Sequence, residues 1–219
     1  LNMRCSFKTL IAAGLLSLGV LGQLFGAQAV SAAPITQNYI ALHAKPLYQN
    51  AASMPYANPN APKGGMLSQA SVLPTFDNFN TLNGKGTPAE GVGLMYDSLM
   101  ASSLDEPGVR YPLLAERVTA DPNDPSYVIY HLNPKARFSD GSPVLAQDVV
   151  FSFTTLLTKG APGIKVYLGE VAEVIALDKL TVRFNFKAKD NAELSSIVAE
   201  VPIYSKKDWQ GHDYERVSL

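Results

Sequence analysis

A mixed α/β fold is what this sequence predicts, and three patterns carry that reading. Residues 116–120 and 127–132 read as two strands, because Asp121-Pro122-Asn123-Asp124-Pro125 between them has the residues of a tight turn. Residues 170–177 and 180–186 read as a hairpin around Asp178-Lys179. In its second arm Val182, Phe184 and Phe186 alternate with Arg183 and Asn185, which gives one buried and one wet face. Between the pairs, Val149, Val150, Phe153, Leu156 and Leu157 form one apolar stripe of a helix over residues 146–158, and Gly160 is its stop signal.

The remaining segments follow in chain order. Arg4 and Lys8 precede an uncharged apolar run, residues 10–25, and the small residues Ala27-Gln28-Ala29 and Val30-Ser31-Ala32 follow. That is the layout of a secretory signal peptide over residues 1–32, with cleavage expected after Ala32 and Ala29 as second choice. The alternative, a membrane anchor, suits it less well: the run is about 16 residues, short of the roughly 20 that cross a bilayer core. Cys5 lies before the apolar run and so cannot be a lipidated cysteine, which would follow it. No later stretch is long enough to span a membrane, so no stable membrane insertion is expected after cleavage.

Residues 33–62, with Pro46, Pro55, Pro59 and Pro62, read as an irregular arm, because proline fixes φ and removes an amide donor. Lys63-Gly64-Gly65 turns the chain into an expected strand over residues 66–73, ended by Pro74, and residues 75–82 form a loop. Pro88 suits the first turn of a helix, which Val92, Met95, Tyr96 and Leu99 continue through Met100. Asp105-Glu106-Pro107-Gly108 is a turn and Leu113-Leu114 an apolar anchor. A last helix is expected over residues 191–201, started by Asp190 and broken by Pro202.

Composition excludes several classes of chemistry. Removing Arg4 and Lys8 with the leader takes 18 basic residues to 16 against 19 acidic, a net of −3. Nucleic-acid binding, which needs basic patches, is not expected. The one cysteine, Cys5, goes with the leader, so the mature chain has no disulfide, thiolate site or cysteine nucleophile. Gly84-Lys85-Gly86-Thr87-Pro88-Ala89 fits G-x-G-x-x-A, yet it follows a polar loop instead of a strand, and Pro88 sits where amides should face phosphate. A plain loop is the better reading. His43, His131 and His212 lack a second ligand at metal spacing, G-x-S-x-G is absent, and Asp140-Gly141 reads as a turn. No catalytic residue, metal or cofactor is expected. The aromatics are the better lead. Phe76 and Phe79 lie in a loop after a strand, with Asp77, Asn78 and Asn80 between and beside them, and clefts mix aromatic walls with a few polar groups. Tyr167, between Gly163 and Gly169, is a similar case. For each, plain core packing is the alternative.

One long run carries a resemblance: Ala115-Glu116, then Leu132, then Ala136-Arg137-Phe138-Ser139-Asp140-Gly141-Ser142-Pro143-Val144, then Gln147-Asp148-Val149-Val150-Phe151-Ser152-Phe153. It resembles the segment shared by extracellular solute-binding proteins of the peptide and nickel family, family 5, the ligand-capturing subunits of ABC importers. Asn58-Pro59-Asn60-Ala61-Pro62-Lys63-Gly64-Gly65, Phe76-Asp77-Asn78-Phe79-Asn80, Lys85-Gly86-Thr87-Pro88-Ala89 and Ser103-Leu104-Asp105-Glu106-Pro107 look closest to the oligopeptide and microcin-type peptide branch.

The resemblance implies a type II periplasmic-binding-protein fold with two lobes, a hinge, a cleft and an extra domain beside lobe one. On that pattern residues 63–87 open lobe one, residues 88–160 form the extra domain, and residues 161–219 return to lobe one. Family members run to more than twice this length, so the resemblance implies a chain truncated before the second lobe. Thr75, Phe76 and Asp77 fall where the family's first strand reaches the ligand, with Tyr167 as a further candidate. An extended peptide would be held by strand-like pairing and passed to permease subunits by a periplasmic monomer. Two departures stand out: Asn133 where the family usually has Arg or Lys, and Leu145 where Thr or Ser commonly caps the second helix, which forfeits roughly 1 kcal/mol. Other functions weighed are a sensor that hands its ligand to a receptor, a structural or chaperone module, and a cell-wall hydrolase, which would need a nucleophile with a base in reach.

Overall fold

The structure is a computed structural model that describes residues 33–217 apart from Ala44, Asn50, Ala52, Thr81 and Leu82. The expected signal peptide lies outside the described residues. Two antiparallel sheets are present. The larger has the order β1-β5-β6-β8-β7, from Ile35–Gln37 (β1), Ala115–Asp121 (β5), Asp124–Leu132 (β6), Val171–Ala176 (β7) and Thr181–Phe186 (β8). The smaller has the order β2-β4-β3, from Ile40–Ala41 (β2), Met100–Ser102 (β3) and Val109–Pro112 (β4).

The alternation in β6 and β8 builds the core. Val128 sits opposite Phe184 and Tyr130 opposite Val182, and all four are fully buried. Arg183 and Asn185 point to the half-exposed face, where the Arg183 guanidinium lies 4.0 Å from the centre of the Tyr127 ring. The helix α1, Ala146–Lys159, packs its stripe over β7 and β8. The Phe153 ring meets Phe184 edge-on at 4.7 Å, and Tyr130 meets Phe184 edge-on at 5.7 Å. Such pairs add about 0.5–1.5 kcal/mol each to the burial of the rings themselves. Two short helices not expected from the sequence, α2 at Pro162–Tyr167 and α4 at Lys206–Trp209, flank a third, α3 at Leu194–Ala199.

Several expectations are corrected. Residues 66–73 form no strand. No backbone–backbone hydrogen bond joins them to another described segment, and Met66 and Val72 are each 93% exposed. A strand exists only against a partner, and none of the described residues supplies one. The helix expected from Pro88 to Met100 is only a 3-10 turn, Val92–Met95, followed by β3. Gly91 before it has φ 75°, outside helical space, and Gly93 stands within it. The arm is not wholly irregular, since Ile35–Gln37 and Ile40–Ala41 each pair onto a sheet. The last helix is shorter than residues 191–201 and ends before Pro202. Residue 160, where the resemblance put a domain boundary, lies between strands of one sheet, because β6 pairs with β8 across it.

Candidate functional site

Thr75, Phe76 and Asp77 sit on a loop that polar side chains hold from beneath. Asn78, Asn80 and Asn83 are buried in it. The Asn78 amide nitrogen donates to the carbonyl of Asn80 at 2.8 Å, to Oδ1 of Asn83 at 3.1 Å and to the carbonyl of Lys85 at 2.7 Å. Asn83 Nδ2 reaches the carbonyls of Tyr214 and Arg216 at 3.2 and 3.1 Å, and Asn80 Nδ2 reaches the same Tyr214 carbonyl at 3.3 Å. Buried amides survive only when paired, so these bonds fix the loop in one shape.

On that base an open groove of about 600 Å³ forms between Leu73, Thr75, Phe76, Phe79, Pro88 and Glu90. Phe76 is half-exposed and its ring lies 5.8 Å from that of Phe79. Thr75 is exposed at the rim. Asp77 is committed to the loop itself: its Oδ1 accepts from the Thr87 amide at 2.6 Å, and its own amide donates to the Thr87 carbonyl at 3.0 Å. Gly86 turns there with φ 65°, and a Cβ on it would stand 2.4 Å from Asp77 Oδ1. Behind the groove, Tyr96 donates its hydroxyl to the Phe79 carbonyl at 3.5 Å.

Tyr167 is not brought to this groove. It ends α2, half-exposed, and lines a separate cavity of about 200 Å³ with Leu156, Ile164, Glu200 and Pro202. Burial raises its phenol above the usual range, the Glu200 carboxylate adds to the rise, and Arg110 opposes it. Glu200 is itself paired with Arg110 at 2.8 Å and accepts from the Ser102 hydroxyl.

The G-x-G-x-x-A stretch is a loop, as expected. Its Lys85 and Thr87 amides are taken by Asn83 Oδ1 and Asp77 Oδ1, and no α-helix follows. Asp140 holds its own turn. The Ser142 hydroxyl and amide, then Lys207 at 3.0 Å, keep its carboxyl well below the usual range. His131 bonds Thr119 at 2.9 Å, and burial, then Arg117, lowers its imidazole. Among the described residues no group of three or more His, Cys, Asp or Glu could hold a metal ion. No helix there is long and apolar enough to cross a membrane.

A second polar hub was not visible in the sequence. Glu106 is buried and accepts from the Leu47 amide at 2.7 Å and the Tyr111 hydroxyl at 2.9 Å. Beside it the Tyr48 hydroxyl donates to Asp105 at 2.8 Å, which pushes the Tyr48 phenol up to about 12. The hub ties the arm to the turn after β3. Nothing in a charged Asp-Glu-Pro-Gly turn signals a buried carboxylate, and asparagines in a loop look solvated.

Comparison with known proteins adds the following. The family model described as "Bacterial extracellular solute-binding proteins, family 5 Middle" matches residues 110–217. The Escherichia coli (strain K12) protein YejA is 40% identical over 192 residues, which are 86% of this chain and 30% of YejA. A protein of Agrobacterium fabrum named peptidoglycan-binding protein YepA is 38% identical over 190 residues, 82% of this chain and 31% of YepA. Among solved structures, a mannohexaose-bound periplasmic oligopeptide-binding protein from Thermotoga maritima is similar with a TM-score of 0.51 and 25% identity, over 64% of this chain and 25% of that one. The chain thus spans less than a third of the length of these relatives.

Proposed function

The chain belongs to the bacterial extracellular solute-binding proteins of family 5 and has part of the α/β fold of a type II periplasmic binding protein, and from this premise we propose that it is part of the peptide-capturing subunit of an ABC importer. The protein is exported through residues 1–32 and works as a monomer in the periplasm. It closes two lobes over an extended oligopeptide and delivers it to permease subunits, without bond-breaking chemistry of its own. The groove at Thr75, Phe76 and Phe79 is one wall of the cleft. The observation that carries this reading is a half-exposed aromatic pair on a loop whose own polar groups are satisfied from within. Such a surface is preorganised and meets a ligand without having to reorder. Asp77 shapes the wall, and Tyr167 lines a separate pocket. The opposite wall belongs to the remaining length that the relatives have. That remainder also supplies the partner strand for the bare segment 66–73.

Photo-crosslinking tests the reading. With benzoylphenylalanine in place of Phe76, a biotinylated peptide of mixed sequence at millimolar concentration is expected to label the protein, whereas the same replacement at Val150 on α1 is not. Equal labelling at both positions, or none at Phe76, overturns it. Calorimetric titration of residues 33–219 with an oligopeptide library is expected to give no micromolar binding, because a single wall cannot enclose the ligand. Micromolar or tighter binding refutes the one-wall assignment.

A further inference from the structure

A second cavity, of about 260 Å³, opens on the other side of Tyr96 and shares no lining residue with the peptide groove. Its floor is Tyr204, only 2% exposed. The Tyr96 ring stands edge-on to Tyr204 at 5.1 Å and Trp209 edge-on at 5.2 Å, so two rings flank the floor. Three charged residues also line the cavity: Asp97, Asp208 and Arg137. Arg137 is fixed in place, because its Nη1 donates to the carbonyls of Pro134 and Ala136 at 2.8 and 2.7 Å. Its other N–H groups remain available, since a guanidinium carries five.

The informative fact is what these charges do not do. None of the ion pairs among the described residues involves Asp97, Asp208 or Arg137. Opposite charges thus line one small cavity without closing on each other, and aromatic rings lie between them. A cation alone would satisfy the two carboxylates and leave Arg137 unmatched. An anion alone would satisfy Arg137 and face two carboxylates. A ligand with both charges and a short apolar body satisfies all of them. The cavity, at about 260 Å³, falls below the roughly 300–1,000 Å³ of sites for drug-sized ligands, so a smaller ligand suits it.

We infer that the Tyr96–Tyr204–Trp209 cavity is a separate binding site for a small zwitterion, a free α-amino acid with an apolar side chain. Its ammonium lies toward Asp97 and Asp208, its carboxylate toward Arg137, and its side chain on the rings. This site takes a different ligand class from the extended peptide of the groove and stands whether or not the groove binds peptide.

Trp209 is the only tryptophan of the chain, so its emission reports the cavity directly. The protein is titrated with L-leucine, with 3-methylbutylamine, which lacks the carboxylate, and with 4-methylpentanoate, which lacks the amine. A saturable change with leucine is expected, with each analogue at least about tenfold weaker, the size of one lost charge-assisted hydrogen bond. Arg137→Gln is expected to weaken leucine and leave the amine unchanged. Asp208→Asn is expected to weaken leucine and the amine and leave the acid unchanged. Both side chains are exposed, so neither variant threatens folding. Absence of a saturable response at millimolar leucine overturns the site. Analogues as tight as leucine, or variants that weaken all three probes alike, overturn the zwitterion.

Discussion

Asn78 is fully buried, and its one amide group holds the loop beneath Phe76, with its two N–H groups shared among three acceptors and its oxygen accepting from the Asn80 amide. Asn78→Ala leaves several buried partners unmatched and is expected to lower stability by about 2–3 kcal/mol in urea denaturation. Asp140 offers a pH test. The Ser142 hydroxyl, then its amide and Lys207, depress its carboxyl in the folded state. A depressed folded value means that the stabilisation is present above the unfolded value, near about 4, and is lost as pH falls from there toward the folded value. Asp140→Asn is therefore expected to lower stability at pH 7, where the stabilisation is fully present, and to approach the parent protein as pH falls below about 4, measured by urea denaturation across pH. The sequence marked Phe76 as a loop aromatic with core packing as the alternative, and the structure leaves it half-exposed. It did not mark the asparagines beneath, because a polar loop whose amides face inward has the same composition as one whose amides face water.

The helix α1 shows how one element replaces a missing cap. Leu145 offers no side-chain acceptor, yet Asp148 three residues on accepts from the Leu145 amide at 2.8 Å and, with its other oxygen, from the Lys206 amide at 2.9 Å. One turn later Ser152 accepts from the Tyr204 amide at 2.8 Å. The buried polar edge of α1 thus pins residues 204–206 and with them the aromatic floor. Asp148→Ala strands two amides and is expected to cost about 3 kcal/mol, measured as a fall in the denaturation midpoint. The helix and both hairpins were legible because their periods, 3.6 and 2, repeat long enough to be unambiguous. Residues 88–100 misled because apolar spacing persisted through Gly91 and Gly93, where backbone freedom outweighed the stripe. Residues 66–73 misled for the opposite reason: their local preference is extended, but extension becomes a strand only through another chain segment.

At the scale of the molecule, the family, the α/β class and the sheet-and-helix centre were readable in the run around Phe138–Phe153. The relation of the segments was not. The pairing of β6 with β8 carries one sheet across residue 160, and no local pattern announces a partner fifty residues away. The crosslinking and calorimetry experiments belong to this scale, because they ask whether a wall built by one stretch of chain can hold a ligand without the facing wall.

The asparagine bonds to Tyr214 and Arg216 span more than 130 positions of sequence. Closing so long a loop carries an entropic toll that short-range contacts escape. Emerging from the ribosome, the polypeptide must deliver its residue 214 before the loop around Phe76 can set. The loop around Phe76 therefore sets late, after the hairpins and α1 have assembled, and a nascent chain halted before that residue would present Phe76 on slack backbone.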